Sequence, residues 1–122
     1  GVALGRQSRS KEAIVQYRQA LQIKPDFAWA HNNLAILLGQ RGDFVGAISH
    51  YQQAITFDSG FAKAHNNLGS TLAQQGKFKE ATAHFEKAIN IDPNYVDARK
   101  NLDLSRSLAG KNVNAQIRQG IR

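Results

Sequence analysis

The chain has 122 residues, 42% of them hydrophobic and 20% charged, with no cysteine and a formal net charge of +7. That length gives about one domain with a modest core. It excludes disulfides and thiolate metal sites, and no apolar run approaches the ~18 residues of a membrane span. The charge is uneven: residues 1–27 carry +3, residues 28–95 are neutral and residues 96–122 carry +4. The excess therefore sits at both ends, whereas a nucleic-acid-binding face more often shows one continuous basic stripe.

The opening stretch "GVALGRQSRS" lacks the basic start, apolar core and cleavage site of a secretory signal. With no methionine anywhere, the chain is expected to begin inside a longer protein. Gly1 to Gln7 reads as about half of a helix, and its partner is expected from about Ser10 to Ile23. That partner displays Ala13, Ile14, Tyr17, Ala20 and Leu21, and half of the stripe lacks a cover.

From Ala28 the sequence repeats itself. Residues 28–61 laid over 62–95 give 15 identities in 34 positions without a gap, "AHNNL" at Ala30–Leu34 and Ala64–Leu68 among them. A period of this length marks a repeat architecture. Each unit reads as two helices. In the first, Ala28, His31, Leu34, Ala35 and Leu38 fall at helical spacing. "GQRGDF" then breaks the pattern, with Gly42 suited to a helix end and Asp43 to the next N-cap. Phe44, Ala47, Ile48, Tyr51, Ala54 and Ile55 form a second stripe. "FDSG" and "IDPN" close the units, and Pro93 cannot continue a helix. Alanines at 47, 54, 81 and 88, echoed at 13 and 20, mark close helix approaches beside Phe44, Tyr51, Phe78 and Phe85. Neither helix buries its stripe alone, so the units must stack. The organisation expected is a truncated first repeat at 1–27, full repeats at 28–61 and 62–95, a capping helix at 96–109 and a basic tail at 110–122. The cap interrupts its apolar positions with Asp97, Arg99, Lys100, Asp103 and Arg106. The tail, with Val113, Ile117 and Ile121 four apart, reads as frayed, with a weak amphipathic helix as the alternative.

The segments "AHNNLAILLGQRGDFVGAISHYQQAI" at 30–55 and "AHNNLGSTLAQQGKFKEATAHFEKAINIDPN" at 64–94 resemble the tetratricopeptide repeat family, in a bacterial-type form, over residues 1–109. His31 and His65 stand where that family usually has Trp or Tyr, and Ser59 stands where it has Pro. The resemblance implies an all-α superhelix of stacked antiparallel helix pairs, a non-catalytic protein-binding role and a concave face lined by the first helix of each unit. On that face it places Trp29, Asn32, Asn33, Ile36 and Gln40, then Lys63, Asn66, Asn67, Ser70 and Gln74, then Asp97, Lys100, Asn101, Leu104 and Leu108. Asn33, Asn67 and Asn101 thus form a ladder, similar to the one in the tetratricopeptide arm of O-linked N-acetylglucosamine transferases. A side-chain amide both donates and accepts, so it can bind a peptide backbone whatever the side chains are, or it can bond the neighbouring helix instead. Asn33 and Lys63 also fall at two positions of the carboxylate clamp of chaperone-binding co-chaperones, but Asn67 replaces the arginine expected there.

Trp29 is the only tryptophan, expected either as an exposed anchor or packed against Phe27. His31 and His65 are expected about 10 Å apart, as are His50 and His84, from the spacing of stacked helices. Zinc needs nitrogen ligands at about 2.0 Å, so no metal or other cofactor is expected. No phosphate loop, activated nucleophile or carboxylate dyad suggests catalysis. The expected role is a scaffold for a peptide or protein segment, in a cytoplasmic setting. The alternatives are a substrate-recognition arm of a larger enzyme such as a glycosyltransferase, and a nucleic-acid or acidic-surface binder using the basic ends. The uncovered first helix and the apolar tail suggest pairing between molecules.

Overall fold

The computed structural model describes residues 2–120, with side-chain surroundings described over 7–111. It contains six helices and, among the described residues, no strand. They are α1 (Val2–Ile23), α2 (Ala28–Gln40), α3 (Phe44–Phe57), α4 (Ala62–Gln74), α5 (Phe78–Ile91) and α6 (Val96–Gly120). The pairs α2–α3 and α4–α5 pack most extensively, and α3 on α4 and α5 on α6 carry the stack onward.

The turn within each pair is made by a glycine. Gly42 and Gly76 have φ of 84° and 78°, left-handed values that a side chain disfavours. At the first turn Asp43 then caps α3, its carboxylate accepting from the Gly46 N–H at 2.9 Å. Lys77 stands at the equivalent position before α5 and makes no such bond. Between pairs, Asp58 and Asp92 each accept from a backbone N–H two residues on, at Gly60 and Asn94. Ser59 therefore occupies the same kind of turn as Pro93.

The core is a column of small and large side chains in register. Ala47, Ala54, Ala81 and Ala88 are fully buried, as are Ala30, Ala64 and Ala98. Leu34, Leu68, Leu72, Tyr51 and Phe85 fill the space that those alanines leave. The closest approach is at Gly69, where an added Cβ would stand 2.6 Å from the Phe85 ring. Ala35 holds the same register in the first pair.

The ends depart from the sequence reading. Residues 2–23 form one unbroken helix rather than two halves joined by a turn. Ser8 occupies the register of Gly42 and Gly76, so the residue that gives the left-handed turn is missing. Gly110 shares that register too, yet has no positive φ and lies inside α6. A glycine permits the turn but does not require it. The aromatic that opens the returning helix at Phe44 and Phe78 is Asn112 here, which offers the core nothing to bury. Beyond Gly110 the chain continues as helix to Gly120, the form that the sequence reading held as its alternative to a frayed tail. The expected stripe of Val113, Ile117 and Ile121 lies outside the described side chains.

Candidate functional site

The paired asparagines of each "HNNL" separate into two environments. Asn32 and Asn66 are buried, at 2% and 7% exposure, which corrects their expected place on the open face. Asn33, Asn67 and Asn101 are half-buried one residue on. The reason is a cross-unit hydrogen bond. Asn67 Nδ2 donates to Asn32 Oδ1 at 3.2 Å, and Asn101 Nδ2 donates to Asn66 Oδ1 at 3.0 Å. Asn66 in turn donates to the Tyr95 hydroxyl at 3.4 Å. A buried amide without partners would cost on the order of 1–3 kcal/mol, and the next unit supplies the partner. The ladder is thus first an inter-unit staple. Each rung still has an amide oxygen and a second N–H to offer. Asn33 makes no side-chain hydrogen bond among the described residues.

Two crevices open between successive first helices. One, of about 280 Å³, lies between α2 and α4, lined by Ile36, Gln40, Lys63, Asn67, Ser70 and Gln74 over a floor of Tyr51. The next, of about 180 Å³, lies between α4 and α6 beside Ser70, Gln74, Asn101, Leu104 and Leu108, with Phe85 as floor. These crevices bring together most of the residues expected on the open face. Lys100 is exposed but lines neither one. Tyr51 and Phe85 were missed as lining residues because their stripe marks them as core. Burial pushes the Tyr51 hydroxyl up to about 12 although it bonds Thr71, so it stays protonated.

Trp29 is both exposed and packed. It is 52% exposed, yet its ring lies edge-on to Tyr17 at 5.7 Å and tilted against Phe27 at 5.6 Å. Lys24 sits 5.1 Å above Phe27. Tyr17 holds the register of Tyr51.

The histidines pair within a unit, across 19 residues, a pairing that the sequence reading did not anticipate. His31 Nδ1 lies 3.0 Å from His50 Nδ1, and His65 Nδ1 lies 3.2 Å from His84 Nδ1. The His31 Nε2–H donates to the Pro25 carbonyl at 2.8 Å, so with both rings neutral the His31 Nδ1 accepts and the His50 Nδ1–H donates. His65 repeats this arrangement with the Ser59 backbone. Arg99 holds the same register and also donates to a carbonyl, that of Pro93, at 2.9 Å. Burial holds His50 below the usual histidine range, as do the charges of His31 and Arg18, against an upward pull from Asp43. His84 is lowered to about 4 by burial, then His65 and Lys87, against Glu80. His65 is lowered by burial and Lys87. The signal that could have revealed the pairs was the shared register of the four histidines on facing helices. Among the described residues no three His, Asp or Glu side chains converge on a metal position.

The family profile described as "TPR repeat" matches residues 3–42 and 37–76, and that described as "Tetratricopeptide repeat" matches 62–95. The chain belongs to the tetratricopeptide repeat family. Among solved structures it is similar to the first such domain of Spaghetti (RPAP3) bound to an HSP90 peptide, at 22% identity and a TM-score of 0.81, covering 90% of this chain and 87% of that one. The Arabidopsis OM64 domain gives 22% and 0.78, with 88% of each chain covered. MamA gives 24% and 0.78, covering 83% of this chain, which spans 55% of the MamA chain's length. These likenesses define the fold. No curated protein matches the sequence. Among the described residues, no helix is long and apolar enough to cross a membrane.

Proposed function

We propose that the chain is a non-catalytic interaction module that holds a peptide segment of a partner protein along the face formed by α2, α4 and α6. The observation that carries this reading is the repetition of one kind of crevice. Each has an aromatic floor, Tyr51 or Phe85, and a half-buried amide at its edge, Asn67 or Asn101. An apolar floor takes a side chain, and the adjacent amide can bond the peptide backbone. Trp29 at one end is suited to act as an anchor. Lys63 is the one charged group lining the two crevices, so recognition rests on amides and apolar contact more than on charge.

RPAP3 provides a precedent for peptide binding on this fold. Here Asn33 and Lys63 supply only two clamp-like groups, which favours an internal peptide segment over a C-terminal carboxylate. The finer likeness to the arm of O-linked N-acetylglucosamine transferases, with a cytoplasmic setting, belongs to the same proposal. It rests on the Asn33, Asn67 and Asn101 ladder.

The test is selection of a displayed random peptide library on the immobilised chain, followed by titration of the selected peptides using Trp29 fluorescence. Lys63→Glu with Gln74→Ala, both at exposed positions, is expected to weaken binding by about tenfold or more, roughly 1.4 kcal/mol. Thr56→Lys, on the exposed side of α3, is expected to leave it unchanged. The reverse pattern contradicts the proposal.

A further inference from the structure

The spacing of the two crevices limits the backbone that can occupy both. α2 touches α4 and α4 touches α6, so the crevices lie one helix spacing apart, about 8–10 Å. The amides at their edges keep the same interval, because Asn67 bonds back to α2 and Asn101 bonds back to α4. The first crevice is open although α4 is itself followed by α6. Stacking a further unit on this face therefore lengthens it without closing it. Resting on the peptide-binding reading above, we infer that the bound segment lies across the face as a polyproline II helix. One side chain in every three enters a crevice, a hydrogen-bond acceptor in the first and an aliphatic group in the second.

The backbone follows from the interval. A β-strand returns a side chain to one face at about 7 Å and again at about 13 Å, and neither distance matches. An α-helix returns one after two turns, at about 11 Å, but it is itself about 10 Å across. Its backbone groups are also paired internally, so the free amide groups of Asn67 and Asn101 would find nothing to bond. Polyproline II has three residues and about 9 Å per turn, and its backbone N–H and C=O groups are open. Each rung of the ladder has one amide oxygen and one N–H left over. One rung per turn thus meets one free backbone unit per turn. Aromatic-floored grooves suit this conformation, and Tyr51 and Phe85 supply the floors.

The side-chain chemistry follows from how the crevices differ. In the first, of about 280 Å³, Lys63 and Gln74 stand beside Thr71, which bonds the Tyr51 hydroxyl. Among the described residues neither crevice is lined by Asp or Glu, so the Lys63 ammonium is free to take an acceptor such as Glu or Gln. In the second, of about 180 Å³, Leu104 and Leu108 replace Ser70 and Gln74 of the first, and Phe85 replaces Tyr51. That smaller, more apolar space suits Leu, Ile or Val.

The test is the pattern of peptides selected from a displayed random library, followed by proline and glycine scans of the tightest binder, titrated by Trp29 fluorescence. The selected peptides are expected to share a Glu or Gln and an aliphatic residue three positions away. Proline at one of the two positions between these anchors is expected to keep affinity within about twofold or tighten it, because it pre-sets the bound backbone. Glycine there is expected to weaken binding about threefold, because it has more freedom to lose. An extra residue between the anchors is expected to weaken it about tenfold, because it breaks the register. Lys63→Glu is expected to turn the preference at the polar anchor from Glu toward Lys and to leave the aliphatic anchor unchanged. Peptides that lose binding to the Lys63→Glu, Gln74→Ala variant but carry anchors two or seven residues apart overturn the inference and leave the peptide-binding reading intact. So does a binder that loses more than about tenfold on proline at each intervening position. Peptides indifferent to that double variant overturn both.

Discussion

The middle of this molecule and its two ends are built from the same register, and only the middle closes. In α3 an alanine at position 54 is fully buried beneath its neighbours, whereas Ala20, one period earlier on α1, is half-buried. A glycine at 42 or 76 turns the chain back; a serine at 8 and a glycine at 110 do not. A repeat residue therefore carries its structural meaning only when the neighbouring element is present to use it. The local conformation at each position is consistent with a unit whose stability comes mainly from its neighbours.

Equal substitutions at equivalent positions make that contrast measurable. Ala54→Lys is expected to abolish folding, because it forces an unpaired charge and three extra side-chain carbons into a filled site. Ala20→Lys is expected to change monomer stability by less than about 1 kcal/mol. Circular dichroism melts of the two variants compare them directly. Gly69→Ala follows in size, destabilising by about 1–3 kcal/mol in urea titration as its methyl meets the Phe85 ring. Glycines that share the turn register are expected to differ in sign. Gly42→Ala destabilises by roughly 1 kcal/mol, because alanine resists a φ of 84°. Gly110→Ala stabilises by roughly 0.5–1 kcal/mol, because that glycine is helical with nothing within 4 Å of an added Cβ. Equal effects at both sites would erase the distinction between middle and end.

The histidine pairs give the smallest and most gradual effect. His50, His65 and His84 all have depressed pKa values, so the folded chain favours neutral rings and the unfolded chain binds more protons below pH 6.5. The stability they contribute is complete above that pH and is lost as pH falls toward about 4, where His84 titrates. Melting temperature is expected to decline across this window. With His50→Gln and His84→Gln together, the decline is expected to be shallower.

Much of this was legible in the sequence. Fifteen identities over 34 positions located both helix pairs, the turn glycines and the alanine stripe. Helical spacing placed Leu34, Leu68, Tyr51 and Phe85 in the core. The ends were harder to read because periodicity reports register and not whether a turn forms: α1 and α6 run straight where the pattern called for a break or fraying. The open face was legible only in part. Asn32 and Asn33 are adjacent and chemically identical, and nothing local distinguishes them. Asn32 is buried because another amide arrives from 35 residues away. The His31–His50 and His65–His84 bonds were hidden for a related reason, since each depends on how one helix rotates against its partner.

The central claim is that the face carrying the crevices, and not the histidine-bearing side, receives the peptide. Side-chain amide and indole resonances followed by NMR during titration with a library-selected peptide address it most directly. The account predicts that the Trp29 indole N–H and the Asn33, Gln40 and Gln74 amides shift, while buried Asn32 and Asn66 hold their positions. Shifts concentrated at His50, His84 and Gln53, with Trp29 and the Asn33 amide unmoved, would contradict it.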